Sequence, residues 1–116
     1  MLDTISAKEL DQYVEDSGAL IVDLRAPEEY EMGHIRGALN VWPEEIRTFR
    51  PGKDRVLILY CDRGGVSMEA ARRLDKRGYQ VKSVVGGYHA YRGDQIVTGK
   101  RPGSRAYRTA VFSPGL

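Results

Sequence analysis

Val56–Tyr60, reading Val-Leu-Ile-Leu-Tyr, constrains this chain more than any other segment. A run that is apolar at every position offers no face to water, so as a strand it must be covered on both sides. That condition is met at the centre of a parallel sheet with helices above and below. The flanking segments agree. Leu20–Val22, ending in Asp23, reads as a second buried strand, and Ala38–Val41 and Val81–Val85 as two more. Between them lie helix signals. Ser6 with Glu9 forms a capping box ahead of Leu10, Tyr13 and Val14, and Gly18 ends that helix. Pro27 with Glu28 and Glu29 starts a short helix that Gly33 stops, and Pro43 with Glu44 and Glu45 starts a helical turn reaching Phe49. A longer helix follows Cys61, with Met68, Ala71 and Leu74 on its inner face and Gly78 at its end; a short one spans Tyr88 to Tyr91. Alternation of strand and helix predicts an α/β fold, with a central parallel sheet of about five strands and helices on both faces.

The 116 residues suffice for one core and not for two. Residues 1–92 are read as the folded domain and residues 93–116 as a basic C-terminal tail packed on it or partly flexible. The net charge of +2 argues against a nucleic-acid coat or a general attraction to membranes. Its distribution is uneven: residues 92–116 hold five basic groups against Asp94 alone, whereas residues 1–91 hold 13 basic and 15 acidic groups. Tyr88, Tyr91 and Tyr107 interleave with Arg92, Arg105 and Arg108, but the cluster is sparse, and a tail burying Val111 and Phe112 on its own domain is the preferred reading. The strongest apolar run, around Val56–Leu59, is far short of the roughly 20 residues of a membrane span, and Met1–Thr4 does not resemble a secretory leader, so a cytoplasmic location is expected. A single cysteine, Cys61, excludes an intramolecular disulfide and any metal site built on several thiolates.

In an open parallel sheet, sites form at the carboxyl ends of the strands. Cys61 stands at that end of Val56–Tyr60, and Asp62-Arg63-Gly64-Gly65-Val66-Ser67 joins it to the next helix. Two glycines let the backbone curl and turn successive N–H groups inward, and the helix N-terminus adds positive potential. Such a loop cradles an anion and favours a thiolate, which makes Cys61 a nucleophile rather than a packing residue.

Two separated stretches now carry a resemblance. Val22-Asp23-Leu24-Arg25, Glu28-Glu29-Tyr30, Gly33-His34-Ile35 and Gly37-Ala38 form the first. Leu59-Tyr60-Cys61 with its loop, the helix Ser67–Leu74, Gly78-Tyr79 and Gly86-Gly87-Tyr88 form the second. Together they span about residues 5–91, and the chain resembles a single-domain rhodanese, a sulfurtransferase. The resemblance implies a rhodanese-like fold in which Cys61 takes sulfane sulfur from thiosulfate or a persulfide, carries it as a persulfide and passes it to cyanide or a thiol. Neither metal nor organic cofactor is implied; a small anionic donor is, with a sulfur-carrier or thioredoxin-like protein as a candidate protein partner.

Many members of that family carry arginine five positions after the cysteine, where this chain has Val66; the basic residue here is Arg63, placed to attract a dianion at the loop mouth. Related phosphatases of the same fold end a longer loop in arginine at the sixth position, which is Ser67 here, so phosphoryl transfer or arsenate reduction ranks below sulfur transfer. A non-catalytic partner-binding module is the other alternative, disfavoured because it has no physical use for both the cysteine and the glycine loop. Asp23 and Arg25 are expected to form an ion pair that buttresses the loop, and His34 to bond backbone at a helix end. His89 should lie on the surface and Asp62 should face solvent, where it does not oppose the thiolate.

Overall fold

The computed structural model describes residues 2–101. Chain order is β1 (Leu2–Ser6), a 3₁₀ segment (Ala7–Tyr13), β2 (Ala19–Asp23), α1 (Pro27–Met32), β3 (His34–Ile35), β4 (Leu39–Asn40), a second 3₁₀ segment (Pro43–Arg47), β5 (Val56–Tyr60), α2 (Gly65–Lys76), β6 (Val81–Val85), α3 (Gly87–Ala90) and β7 (Ile96–Val97). Five strands form one parallel sheet in the order β1-β6-β5-β2-β4. The wholly apolar β5 is therefore the middle strand, where both its faces find cover.

Two cores follow from the alternation of β5. Leu57, Leu59 and Cys61 point to one face, where Ala70, Ala71 and Leu74 of α2 and Ile46 and Phe49 near the second 3₁₀ segment cover them. Ile58 and Tyr60 point to the other, against Leu10, Tyr30 of α1 and Tyr91. Removing any one of these fully buried aliphatic side chains costs about 2–5 kcal/mol by truncation to alanine.

The sheet register sets the site. Asp23 pairs with Tyr60, so β2 and β5 end level, and the Leu24 N–H donates to the Tyr60 carbonyl at 2.8 Å. Leu24 and Arg25 thereby emerge next to Cys61.

Several local expectations are corrected. The opening segment Leu2–Ser6, which its mixed polarity does not mark as a strand, is a parallel strand beside β6, with Ile5 its buried residue. The helix after Ser6 is a 3₁₀ segment; Glu9 accepts hydrogen bonds from the Ser6 N–H and hydroxyl, both at 3.1 Å. On α2 the buried face is Ser67, Ala70, Ala71 and Leu74, with Met68 only half-buried, because α2 lies rotated toward β6 through Ser67.

Order also continues past Arg92. β7 pairs antiparallel with β3, the Arg36 N–H donates to the Gln95 carbonyl at 2.8 Å, and Arg101 donates to the Asn40 carbonyl at 3.0 Å and to Glu45 Oε1 at 3.1 Å. Residues 93–101 thus pack on the domain. The expectations for Arg105, Tyr107, Arg108, Val111 and Phe112 lie outside the described residues. Among the described residues no helix is long and apolar enough to cross a membrane.

Candidate active site

Cys61 leaves β5 nearly buried, and its Sγ accepts two main-chain hydrogen bonds, from Gly64 N–H at 3.1 Å and Ser67 N–H at 3.3 Å. The curl that brings these donors onto the sulfur depends on Gly64, whose φ of 106° lies in the left-handed region. A Cβ there would also stand 3.2 Å from the Gly86 nitrogen, so the position is closed by conformation and by space. Ser67 lies in the first turn of α2, where N–H groups have no helical partner and are free to meet the sulfur. Its hydroxyl donates to the Gly64 carbonyl at 3.1 Å and shares a hydrogen bond of 2.9 Å with Ser83 Oγ, which ties loop, helix and β6 together.

The back of the loop is held from the other side. Tyr88 N–H donates to the Cys61 carbonyl at 2.8 Å and His89 N–H to the Asp62 carbonyl at 2.9 Å. With those carbonyls engaged by α3, the Gly64 and Ser67 N–H groups meet the sulfur. The contact needs Gly87: with φ 59°, it approaches so closely that an added Cβ would fall onto the Cys61 carbonyl oxygen.

Asp23 and Arg25 form the expected ion pair. Arg25 Nη2 lies 2.8 Å from Asp23 Oδ2 and also donates to the Gly33 carbonyl at 2.6 Å, with both groups buried. Burial works against the Arg25 charge, and the hydrogen bonds and charge of Asp23 outweigh it, so its pKa stands above that of a free arginine. The guanidinium lies over the Tyr88 ring, 3.9 Å from its centroid, and this is how the pair reaches the loop. Tyr60 completes the group, donating from its hydroxyl to Asp23 Oδ2 at 2.7 Å and accepting from Ile35 N–H at 3.0 Å. Burial first, then the Asp23 carboxylate, holds the Tyr60 hydroxyl well above its ordinary pKa range.

The remaining residues fall on either side of the cavity. Asp62 and Arg63 are exposed and face each other loosely at 3.8 Å. His34 is buried, hydrogen-bonded through Nδ1 to the Tyr30 carbonyl at 2.7 Å and stacked on the Tyr30 ring, and it does not line the cavity. His89 is exposed. Above Cys61 opens a cavity of about 530 Å³ whose lining includes Leu24, Arg25, Trp42, Pro43, Gly65 and Val66.

Two contributors escape a reading of the sequence alone. Tyr88 reads as part of a basic aromatic cluster but serves as the plate under Arg25 and the donor to Cys61. Trp42 gives one signal: Pro43 behind it imposes an extended backbone, seen as φ −65° and ψ 152°, at a residue that lines the cavity and stays partly exposed. A sulfur under two converging donors, at the floor of an open cavity, can hold negative charge on itself or on an atom bound to it.

Comparison with known proteins agrees with this geometry. Residues 6–94 match the family described as the rhodanese-like domain. The chain is 33% identical over 86 residues to a tRNA sulfurtransferase of Desulfurococcus amylolyticus, covering 74% of this chain and only 17% of that relative's length. Among solved structures, a rhodanese-like domain protein from Staphylococcus aureus superposes with a TM-score of 0.72 at 26% identity, over 84% of this chain and 99% of that one. A rhodanese with anions from E. coli has a TM-score of 0.60 at 30% identity, over 70% of this chain and 99% of that one. Sequence match, sheet order and the loop around Cys61 converge, and the chain belongs to the rhodanese-like domain family.

Proposed function

We propose that the protein is a sulfurtransferase in which Cys61 carries the transferred sulfur as a persulfide. One observation bears most of the weight: Gly64 N–H and Ser67 N–H converge on Sγ at the floor of an open cavity. The Cys61 thiolate attacks the outer sulfur of thiosulfate, the S–S bond of the donor breaks, and sulfite departs with the bonding pair. A persulfide donor reacts in the same way and releases a thiolate. In the second half-reaction cyanide or a thiolate attacks the outer sulfur, and the electron pair of the broken bond returns to Sγ. The main-chain donors hold negative charge at each stage without an added cation. Small anionic donors fit this chemistry, and a sulfur-carrier or thioredoxin-like protein is the proposed protein partner.

Ser67 supports sulfur over phosphoryl transfer. Its hydroxyl is engaged by the Gly64 carbonyl and Ser83, and no guanidinium stands in its place to clamp phosphoryl oxygens. The test is direct: the protein is incubated with thiosulfate or an organic persulfide, desalted and weighed intact. A gain of about 32 Da that cyanide removes and that the Cys61→Ser variant lacks is expected of the persulfide. No gain with either donor overturns the reading.

A further inference from the structure

The cavity above Cys61 is larger and more apolar than cyanide or thiosulfate requires. Its volume of about 530 Å³ falls in the range of sites that enclose an organic molecule. Leu24, Ala26, Trp42, Pro43 and Val66 supply an apolar wall. Trp42 is 38% exposed and Val66 47%, so two of the large apolar side chains left at the surface of the described residues meet beside the nucleophile. A smaller cavity of about 190 Å³ adjoins through Pro43 and Val66, extending the apolar floor. The backbone that carries the indole is fixed: the Trp42 main-chain N–H donates to Glu45 Oε1 at 2.8 Å, and Pro43 follows it.

Charge around this wall selects further. Glu29, Glu44 and Asp62 line the cavity, against Arg63 and Arg25. The Arg25 charge is already met by Asp23, the Glu29 carboxylate accepts from the Ala26 N–H at 3.4 Å, and Asp62 lies 3.8 Å from the exposed Arg63 guanidinium. Among the described residues Arg63 is the one cation of this lining not held by a buried carboxylate, so a carboxylate or phosphate on the body of an organic ligand finds no further partner there.

We propose that the sulfur acceptor is a small organic thiol with an uncharged apolar body, aromatic by preference, lying against Trp42 and Val66. The proposal rests on the reading of Cys61 as a persulfide carrier and specifies its acceptor. An aromatic body gains offset stacking on the indole, and its thiolate reaches the outer sulfur from the cavity. That thiolate attacks the outer sulfur, the bond from outer sulfur to Sγ breaks, its electron pair stays on Sγ, and the acceptor leaves as an organic persulfide. Sulfur is conserved and no oxidant or reductant is consumed.

Two measurements test this. Trp42 is the chain's single tryptophan, so its emission reports on the wall. Titration with benzyl methyl sulfide, which cannot accept sulfur, is expected to produce a saturable change, weakened roughly tenfold by Val66→Arg, as for loss of apolar contact in a pocket. Persulfidated protein is then offered benzyl mercaptan, 2-mercaptoethanol or cyanide. The ratio of kcat/KM for benzyl mercaptan to that for 2-mercaptoethanol is expected to fall about tenfold in Trp42→Ala and in Val66→Arg, a comparison that cancels intrinsic thiol reactivity. Val66 is half exposed, so its replacement keeps the test valid if Trp42→Ala fails to fold. An unchanged ratio in Val66→Arg, with cyanide still accepting sulfur, overturns the proposal alone. Absence of transfer to cyanide and to both thiols overturns the sulfurtransfer reading and the proposal with it.

Discussion

The Tyr88 main-chain N–H donates to the carbonyl oxygen of Cys61 at 2.8 Å, so the first turn of α3 holds the strand end that presents the Cys61 sulfur. The same residue offers its ring to Arg25. One position thereby connects the buried Asp23–Arg25 pair to the orientation of the loop that follows Cys61, and the glycine before it permits the approach.

Gly87 and Gly65 are expected to respond oppositely to alanine. At Gly87 the new Cβ meets main-chain oxygens of Cys61 and Asp62 and the backbone is left-handed, so Gly87→Ala should cost at least about 2–3 kcal/mol. At Gly65, the first residue of α2, a Cβ has open space, and Gly65→Ala should be neutral or stabilising by up to about 1 kcal/mol. Urea midpoints of the two variants check the contrast.

Arg25→Met should destabilise the protein by about 3–5 kcal/mol, because it leaves the buried Asp23 carboxylate without its counter-charge. Arg25→Lys should recover little. A lysine cannot bridge Asp23 and the Gly33 carbonyl while stacking on Tyr88, three contacts that the planar guanidinium makes together. Denaturant unfolding of both variants measures the difference, and full recovery by lysine would show that charge alone matters.

Asp62 and Arg63 should act on thiosulfate in opposite directions. Both are exposed at the cavity mouth, 3.8 Å apart. Arg63→Ala should raise KM for thiosulfate about two- to fivefold at low salt, Asp62→Asn should lower it, and both effects should fade as salt shortens the screening length. Turnover at saturation should change less than KM, since the main-chain donors at Sγ remain. Steady-state kinetics at two salt concentrations decides, and a salt-independent KM in both variants would remove any role for these charges.

Tyr91 should make stability fall between pH 10 and 12. Burial first, then its hydrogen bond to Asp11 at 2.6 Å, pushes the Tyr91 hydroxyl from 10.0 up to about 12. The folded state keeps the proton that the unfolded chain releases, so this contribution is complete below pH 10 and is lost as pH rises toward 12. Tyr91→Phe should be less stable than the parent at pH 8 by about 1 kcal/mol, having lost the bond to Asp11, and the gap should close and then reverse as pH rises from 10 to 12. Urea unfolding of the pair across this range tests the sign.

Much of the site is legible locally because its parts are neighbours in the chain. Cys61, the left-handed Gly64 and the Ser67 N–H lie within one turn, and a strand, two glycines and a helix start suffice to bring them together. The Asp23–Arg25 pair is likewise local, two residues at the end of one strand. What surrounds them is not. Trp42 and Tyr88 reach the site from distant segments; the family signature includes Tyr88, but its contacts with Arg25 and the Cys61 carbonyl are not readable from its local sequence.

By itself the sequence determined the elements whose signal is short-ranged. A wholly apolar Val56–Tyr60 must be central, Pro27 and Pro43 must open helical turns, and Gly64 suits the left-handed turn into α2. Tertiary structure alone decided the placement of Leu2–Ser6 beside β6, the joining of β3 to β7, and the packing of Gly87 on the Cys61 carbonyl. The physical reason is that periodicity and turn chemistry are properties of a few adjacent residues. Strand partners, an aromatic plate under a buried arginine and a cavity wall depend instead on sheet register, which only the packing of the whole domain establishes.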